Sequence, residues 1–388
     1  MLPTLFTDER TAYRAVRPRR IVGTVAEFFA GIGLMRLGLE RAGWEVTFAN
    51  DIDPQKKAIY EGHFGPEEHF ALEDIHCLTP MEMPTVTLAT ASFPCTDLSL
   101  AGGRGGLAGA HSGALWGFTD LLDGLGPRRP PIVLLENVPG FLTSNNGEDF
   151  RQALLRLNGL GYGVDTFVVD AARFVPQSRQ RLFVVGIQGA HAPTYAHESE
   201  LRPRALTNFI KRHDDIRWNL RALPALPAHG LLLPDILDDL PIDDPHWWSV
   251  ERAQYLLNQM SLRHTATAAA MIAAPEWSYG TVFRRMRKGI SMAELRTDGI
   301  AGCLRTPKGG SGRQILFKAG FGGFFVRLIT SREAARLMGA DGYTITVPLN
   351  QALFGFGDAV CVPVVEWIAT NYLNPVMGEL GAAVQEAA

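Results

Sequence analysis

The chain has 388 residues, 46% hydrophobic and 20% charged, enough for one large buried core and a second, smaller domain. No apolar run approaches the roughly 20 residues that span a bilayer, and the N-terminal MLPTLFTDERTAYRAVRPRR lacks the apolar centre of a secretory signal, so residues 1–20 read as a basic arm and the cytoplasm as the location. A formal net charge of −3 gives no global pull toward polyanions, so a nucleic-acid partner would need a local basic surface.

From residue 21 to 188 short β-branched runs alternate with helical patterns. The predicted strands are TVAEFF (24–29), EVTFAN (45–50), a short one near 69–72, TVTLATAS (85–92), PIVLLEN (131–137), GVDTFVVD (163–170) and RLFVVGI (181–187). Leu34, Leu37, Gly38 and Ala42, and later Phe150, Leu154, Leu155 and Leu157, fall at helical spacing between them. The pattern predicts an α/β fold: a mostly parallel sheet with helices on both faces and ligands outside the carboxyl ends of the strands.

The chemistry is therefore expected in the segments just after the strands. The first strand runs into F-F-A-G-I-G, where Gly31 and Gly33 allow a sharp turn and a close backbone approach. The dinucleotide fingerprint would need a third glycine where Arg36 stands, which argues against a dehydrogenase. N-D-I-D (50–53) ends the next strand in a carboxylate placed to accept from a ribose diol, and E-D-I (73–75) adds another after a short loop, although each acid alone is more often a solvated loop carboxylate. Together these segments describe an adenosine-like ligand without a phosphate cradle.

S-F-P-C-T-D-L-S (92–99) comes next, with Cys95 behind a proline in a polar loop. Its readings are a nucleophile with raised thiolate character or an inert core cysteine. E-N-V-P-G (136–140) ends the next strand, placing Glu136 either beside a base-ring nitrogen or at the surface. In V-P-Q-S-R-Q-R (175–181) Arg179 and Arg181 alternate and so point to one side, a cleft-facing pair or an ordinary surface pair. The four cysteines (77, 95, 303, 361) are scattered, so neither a disulfide framework nor a metal site is predicted.

From about Gly189 prolines break up long elements, and the charge turns basic between Arg284 and Lys318. Residues 189–325 thus read as a separate, irregular, β-rich domain, with Trp247 and Trp248 in its core. L-R-T-P-K-G-G-S-G-R-Q (304–314) offers Arg305, Thr306, Lys308, Arg313 and Gln314 for phosphates or base edges. Order returns in 326–388: T-S-R-E is a capping box with Thr330 as N-cap and Glu333 at the third helical position. DAVCVPVVEWIATNYL (358–373) keeps helical apolar spacing despite Pro363.

Taken in order, F-A-G-I-G, N-D-I-D, D-I, F-P-C, E-N-V and Q-x-R-x-R resemble the DNA cytosine-5 methyltransferase family, as do RLITSREAARLMG (327–339) and GFGDAVCVPV (355–364). The resemblance covers 24–187 and 326–372, and the basic stretch lies where that family carries its target-recognition domain. It implies a Rossmann-like S-adenosylmethionine-dependent domain that methylates carbon 5 of a flipped-out cytosine in double-stranded DNA. Cys95 would be the nucleophile on carbon 6, Glu136 the acid at ring N3, Asn137 the support of that loop, and Arg179 and Arg181 the pair at the base carbonyl.

Phe28, Gly31, Gly33, Asp51, Ile52, Asp74, Ile75, Pro94, Asp358 and Ala359 would contact the cofactor, and Gln177 would join the recognition residues on the substrate side. The glycine-rich loop 101–106 would close over the base. Three positions depart from the family pattern: Asp51 for the common Glu, Thr96 for Gln, and Asp358 for Asn. The resemblance further implies a monomer working within restriction-modification or phage defence. An RNA-directed branch shares these blocks, and a catalytically silent member would show decay at Cys95, Glu136 or Arg181, all of which are intact.

Overall fold

The computed structural model describes residues 21–387 except 67, 95–112, 191–196, 229, 288 and 307–311, with side chains to residue 382. Cys95, Thr96, the glycine-rich loop 101–106 and Lys308 lie outside the described residues, as does the basic arm 1–20.

Seven strands form the larger sheet: β1 (Thr24–Phe28), β2 (Glu45–Asp51), β3 (Phe70–Leu72), β4 (Leu88–Ala91), β5 (Ile132–Asn137), β6 (Tyr162–Asp170) and β7 (Gln180–Gln188). Their order is β3-β2-β1-β4-β5-β7-β6. All neighbours pair in parallel except around β7, which is antiparallel to both β5 and β6. The expectation of a mostly parallel sheet therefore meets one reversed strand. The short link from β6 explains it, because a parallel return needs a crossover of a dozen residues or more.

Alternate residues feed two cores. Val25, Leu88, Ile132, Leu134, Phe183 and Val185 pack on one face; Ala26, Phe28, Ala89, Val133, Leu135 and Val184 pack on the other. The second face is covered by α3 (Gly113–Gly124), α4 (Glu148–Gly159) and α5 (Arg204–Arg212). The first is covered by α1 (Leu34–Arg41) and by helices from the end of the chain. Between β2 and β3 lies α2 (Pro54–Phe64), whose start Asp53 caps by accepting from the amides of Gln55 and Lys56.

A second sheet, order β11-β10-β8-β9, is wholly antiparallel: β8 (Ser278–Arg287), β9 (Ile290–Arg296), β10 (Ile315–Gly320) and β11 (Gly323–Leu328). With α6 (Val250–Asn258) and α7 (Leu262–Ala273) it encloses its own core around Leu256, Val282, Phe317 and Val326, against which Trp248 packs. The boundary expected at 189 falls too early. Leu206, Phe209, Ile216, Trp218 and Leu220 are buried in the large sheet's core, and Val164 bridges to Trp218. The proline-rich texture there belongs to chain laid over the sheet.

The return begins with the predicted capping box. Thr330 accepts from the Glu333 amide, Glu333 accepts from the Thr330 amide at 2.8 Å, and α8 (Ser331–Leu337) starts there. Glu333, fully buried, also receives Arg327 from β11 at 2.5 Å. Asp238 joins this knot, accepting from Thr330 Oγ1 at 2.7 Å and Arg336 at 2.6 Å. Next come α9 (Leu349–Asp358), α10 (Val362–Ile368), which opens on Pro363 without losing a hydrogen bond, and α11 (Asn374–Ala387). The helical stretch 349–382 has the length and apolarity to cross a membrane, but 67% of its most apolar 18-residue window is buried here as core.

Candidate active site

The site forms where β1, β2, β4 and β5 end side by side. After Phe28 the backbone turns left-handed at Phe29 (φ 56), Gly31 (φ 58) and Gly33 (φ 79), the last opening α1. Asp51 fixes this turn: one oxygen accepts from the Gly31 amide at 2.8 Å and the other from the Asp53 amide at 2.9 Å. Asn50 secures the next strand by donating to the carbonyls of Ala71 and Glu73. Ile52 stands 64% exposed at the rim, an apolar side chain available to a flat ligand. Asp74 accepts from the His76 amide at 3.0 Å, whereas Ile75 is buried in the core.

Phe28 does not reach this cleft. It is 1% exposed and packs edge-on against Phe118 and tilted against Phe48, inside the sheet's core. Half-exposed Phe29, in the left-handed conformation, is the ring at the strand end. The left-handed residue ends the strand's alternation, so the two adjacent phenylalanines part, Phe28 into the core and Phe29 to the strand end.

The other half of the site is built on β4, β5 and β7. Pro94 is exposed just beyond β4, and Asn137 donates to the Phe93 carbonyl at 3.2 Å, tying the end of β5 to the chain that enters residue 95. Glu136, 6% exposed, pairs with Arg181: Nε lies 2.9 Å from Oε1. A guanidinium beside a mostly buried carboxylate fixes its plane and balances its charge.

Arg179 takes a different post. It is 2% exposed and spreads its fork over the carbonyls of Leu304 (2.9 Å), Gly357 (3.1 Å) and Ala359 (2.5 Å), with Cys303 Sγ at 3.3 Å. The two arginines share a cluster, as their alternation predicts, but Arg179 spends its donors on backbone. Gln177 is likewise sealed at 0% exposure: it donates to the Leu337 carbonyl and accepts from the Leu304 amide. A substrate contact from its side chain is thereby replaced by a brace between the two sheets' connections. Gln314 also turns inward, 4% exposed, toward the Cys303 carbonyl. Of the remaining recognition candidates, Arg305 is exposed, and Thr306 and Arg313 are half-buried.

No sequence signal singles out Cys303. Burial pushes its thiol up, but Arg179, Arg181 and Arg305 outweigh burial and hold it below the ordinary thiol range. The C-terminal edge of the site is the 357–359 turn. Asp358 pairs with Lys56 at 3.0 Å, and the Ala359 carbonyl is held by Arg179. No group of three or more metal-ligating side chains exists among the described residues.

Comparison with known proteins places this arrangement. M.HhaI of Haemophilus parahaemolyticus, a type II methyltransferase, is 27% identical over 358 residues, covering 89% of this chain and 92% of the relative. M.NgoBI of Neisseria gonorrhoeae is 26% identical, covering 88% and 90%. M.BsuFI of Bacillus subtilis is 37% identical over 169 residues, and that match spans only 40% of the relative's length. Among solved structures, Dnmt2 methyltransferase of S. pombe superposes with a TM-score of 0.60 at 18% identity, covering 91% of this chain and 99% of that one. At that identity the likeness speaks for the fold. The model for "C-5 cytosine-specific DNA methylase" matches residues 23–374, from the first strand of the large sheet to the start of its last helix, and the chain belongs to that family.

Proposed function

We propose that the chain transfers a methyl group from S-adenosylmethionine to carbon 5 of a flipped-out cytosine in double-stranded DNA, through a transient bond from Cys95 to carbon 6. The observation that carries this reading is the Arg181–Glu136 pair, 2.9 Å apart, on β5 and β7, the two strands that follow β4 in the sheet, and β4 leads into Cys95. The Asn137 anchor on the Phe93 carbonyl supports it, because it couples the acid's strand to the nucleophile's loop.

The cofactor site fits the ligand. Two glycines with positive φ leave the turn without side chains, Asp51 braces that turn, Asp74 stands at the neighbouring strand end, and Ile52 offers an apolar face. When bound, S-adenosylmethionine supplies an electrophilic methyl on its sulfonium. Phe29, Gly31, Gly33, Asp51, Ile52, Asp74 and the backbone of Ile75 and Ala359 would hold it, with Pro94 and Asp358 at the edges.

The chain's own groups do the rest. A base stacked in a duplex cannot meet a thiol, so the target must leave the stack, at a cost of a few kcal/mol. Glu136 shares a proton with ring N3 and makes carbon 6 electrophilic, while Arg181 orients Glu136 and meets the base carbonyl. As the Cys95 sulfur bonds carbon 6, the electron pair of the ring's 5,6 double bond moves to carbon 5, which takes the methyl. Carbon 5 then sheds its proton to a base, and the thiolate leaves carbon 6. Arg179 acts at one remove, holding the 304 and 357–359 backbone.

The small-sheet unit between the 189–236 overlay and α8 would read DNA, with Arg305, Thr306, Lys308 and Arg313 as contacts. We read the protein as a monomer of the cytoplasm, associated with the nucleoid, serving restriction-modification or phage defence. A duplex carrying 5-fluorocytosine tests the mechanism. The expected result is a covalent adduct in the wild type and none in Cys95→Ala. Labelled methyl entering tRNA rather than duplex DNA would overturn the substrate assignment.

A further inference from the structure

Lys56 lies in the first turn of α2, where its backbone amide is capped by Asp53. Its ammonium crosses the cleft edge to Asp358 at 3.0 Å. Asp358 sits between two residues whose carbonyls, Gly357 and Ala359, are held by Arg179. Upstream, α9 lies directly on the glycine turn: a Cβ at Gly355 would come within 2.8 Å of Ile32. A Cβ at Gly357 would come within 2.6 Å of the backbone of Arg305 and Thr306. The 357–359 turn is therefore wedged between the cofactor side and the recognition side, and one ion pair ties it to the cofactor side.

Charge makes this pair more than a surface contact. Asp358, Asp51 and Asp53 all raise the Lys56 proton affinity against the opposing effect of burial, so three carboxylates bear on one ammonium. A ligand with its own carboxylate, such as the methionyl end of S-adenosylmethionine, would meet an acidic rim without that ammonium. The Asp358 carboxylate thus comes with its own cation within ion-pair distance.

We propose that Lys56 is a positioning residue for cofactor binding, latching the 357–359 turn to α2 and cancelling the charge of Asp358 so that an amino-acid carboxylate is admitted. The proposal rests on the S-adenosylmethionine reading above. Lys56 touches Asp358 rather than reacting atoms, so its effect falls on affinity and not on the methyl-transfer step.

Binding of S-adenosylhomocysteine to the full chain, measured by calorimetry, tests it. Lys56→Met should weaken binding about tenfold at low salt, and the defect should shrink as salt screens the exposed Asp358 carboxylate. Lys56→Arg should recover most of the affinity, and adding Asp358→Asn to Lys56→Met should recover it too, since the uncompensated charge is gone. The KM for the cofactor should move while kcat holds within about twofold. Lys56→Met binding like wild type overturns the proposal, and a double variant no better than Lys56→Met overturns its charge-cancelling role; neither touches the cofactor reading. A wild type that binds no S-adenosylhomocysteine overturns the cofactor reading and the latch with it.

Discussion

Arg181 places its Nε 2.9 Å from Oε1 of Glu136, joining the end of β5 to the start of the one reversed strand in the sheet. The reversal matters because it brings the entry of β7, rather than its exit, to the ligand-binding edge. Glu136→Gln keeps the shape but cannot share a proton with the ring, so methyl transfer should fall by about 10²-fold or more. Arg181→Ala should lose as much activity and also destabilise the fold by about 2–4 kcal/mol, because it strands a mostly buried carboxylate. Methyl incorporation and urea unfolding, run on both variants, separate the two effects.

Arg179 predicts the opposite balance. Its guanidinium serves three backbone carbonyls at 2% exposure, so Arg179→Lys leaves a point charge where a fork is needed. The expected cost is about 2–3 kcal/mol of stability. A urea midpoint equal to wild type would show that the clamp is dispensable.

The glycine turn supplies a graded pair. Gly31 has a positive φ, but a Cβ there meets nothing nearer than 4.0 Å, so Gly31→Ala should cost about 1–2 kcal/mol from backbone strain alone. At Gly33 the Cβ would stand 2.4 Å from the Phe64 ring in addition to a φ of 79°. Gly33→Ala should therefore be the more damaging, displacing α1 and α2 together and lowering cofactor affinity. Differential scanning and S-adenosylhomocysteine titration give the ranking.

Two buried groups beneath that turn set the pH limits of the fold. Burial pushes the Glu27 carboxyl up to about 8 against the pull of Arg36, and burial with Arg36 pushes His63 down to about 4. Neutral Glu27 contributes stability that is full below its ordinary 4.5 and is lost as pH rises through about 8. Neutral His63 contributes stability that is full above its ordinary 6.5 and is lost as pH falls through about 4. Urea midpoints should peak between these limits. Glu27→Gln should flatten the alkaline limb, with its largest gain over wild type above pH 8; an unchanged limb would remove Glu27 as its cause.

The sheet is legible in the sequence because each strand's apolar run is short, β-branched and closed by a turn with polar punctuation. Glu136, Asp51 and Asp74 stand out for the same reason: they sit where a parallel sheet must put its ligands. The capping box at Thr330 is equally local. Features decided by long-range packing do not show. Phe28 is buried and Phe29 stands at the strand end because a left-handed residue ends the alternation there, and Gln177 and Gln314 turn inward to satisfy distant backbone groups. Cys303 reaches the arginines through an irregular segment that carries no period at all. The prolines after 189 suggest a domain change, although the chain there still lies on the large sheet.

The knot of Arg327, Glu333, Asp238 and Thr330 closes the neck where the small sheet rejoins the body. Arg327 belongs to β11, so the seal takes one charge from the small sheet and the rest from the body side of the seam. β8, β9 and β10 contribute no side chain to those named bonds, so a change confined to them leaves the knot's charges paired.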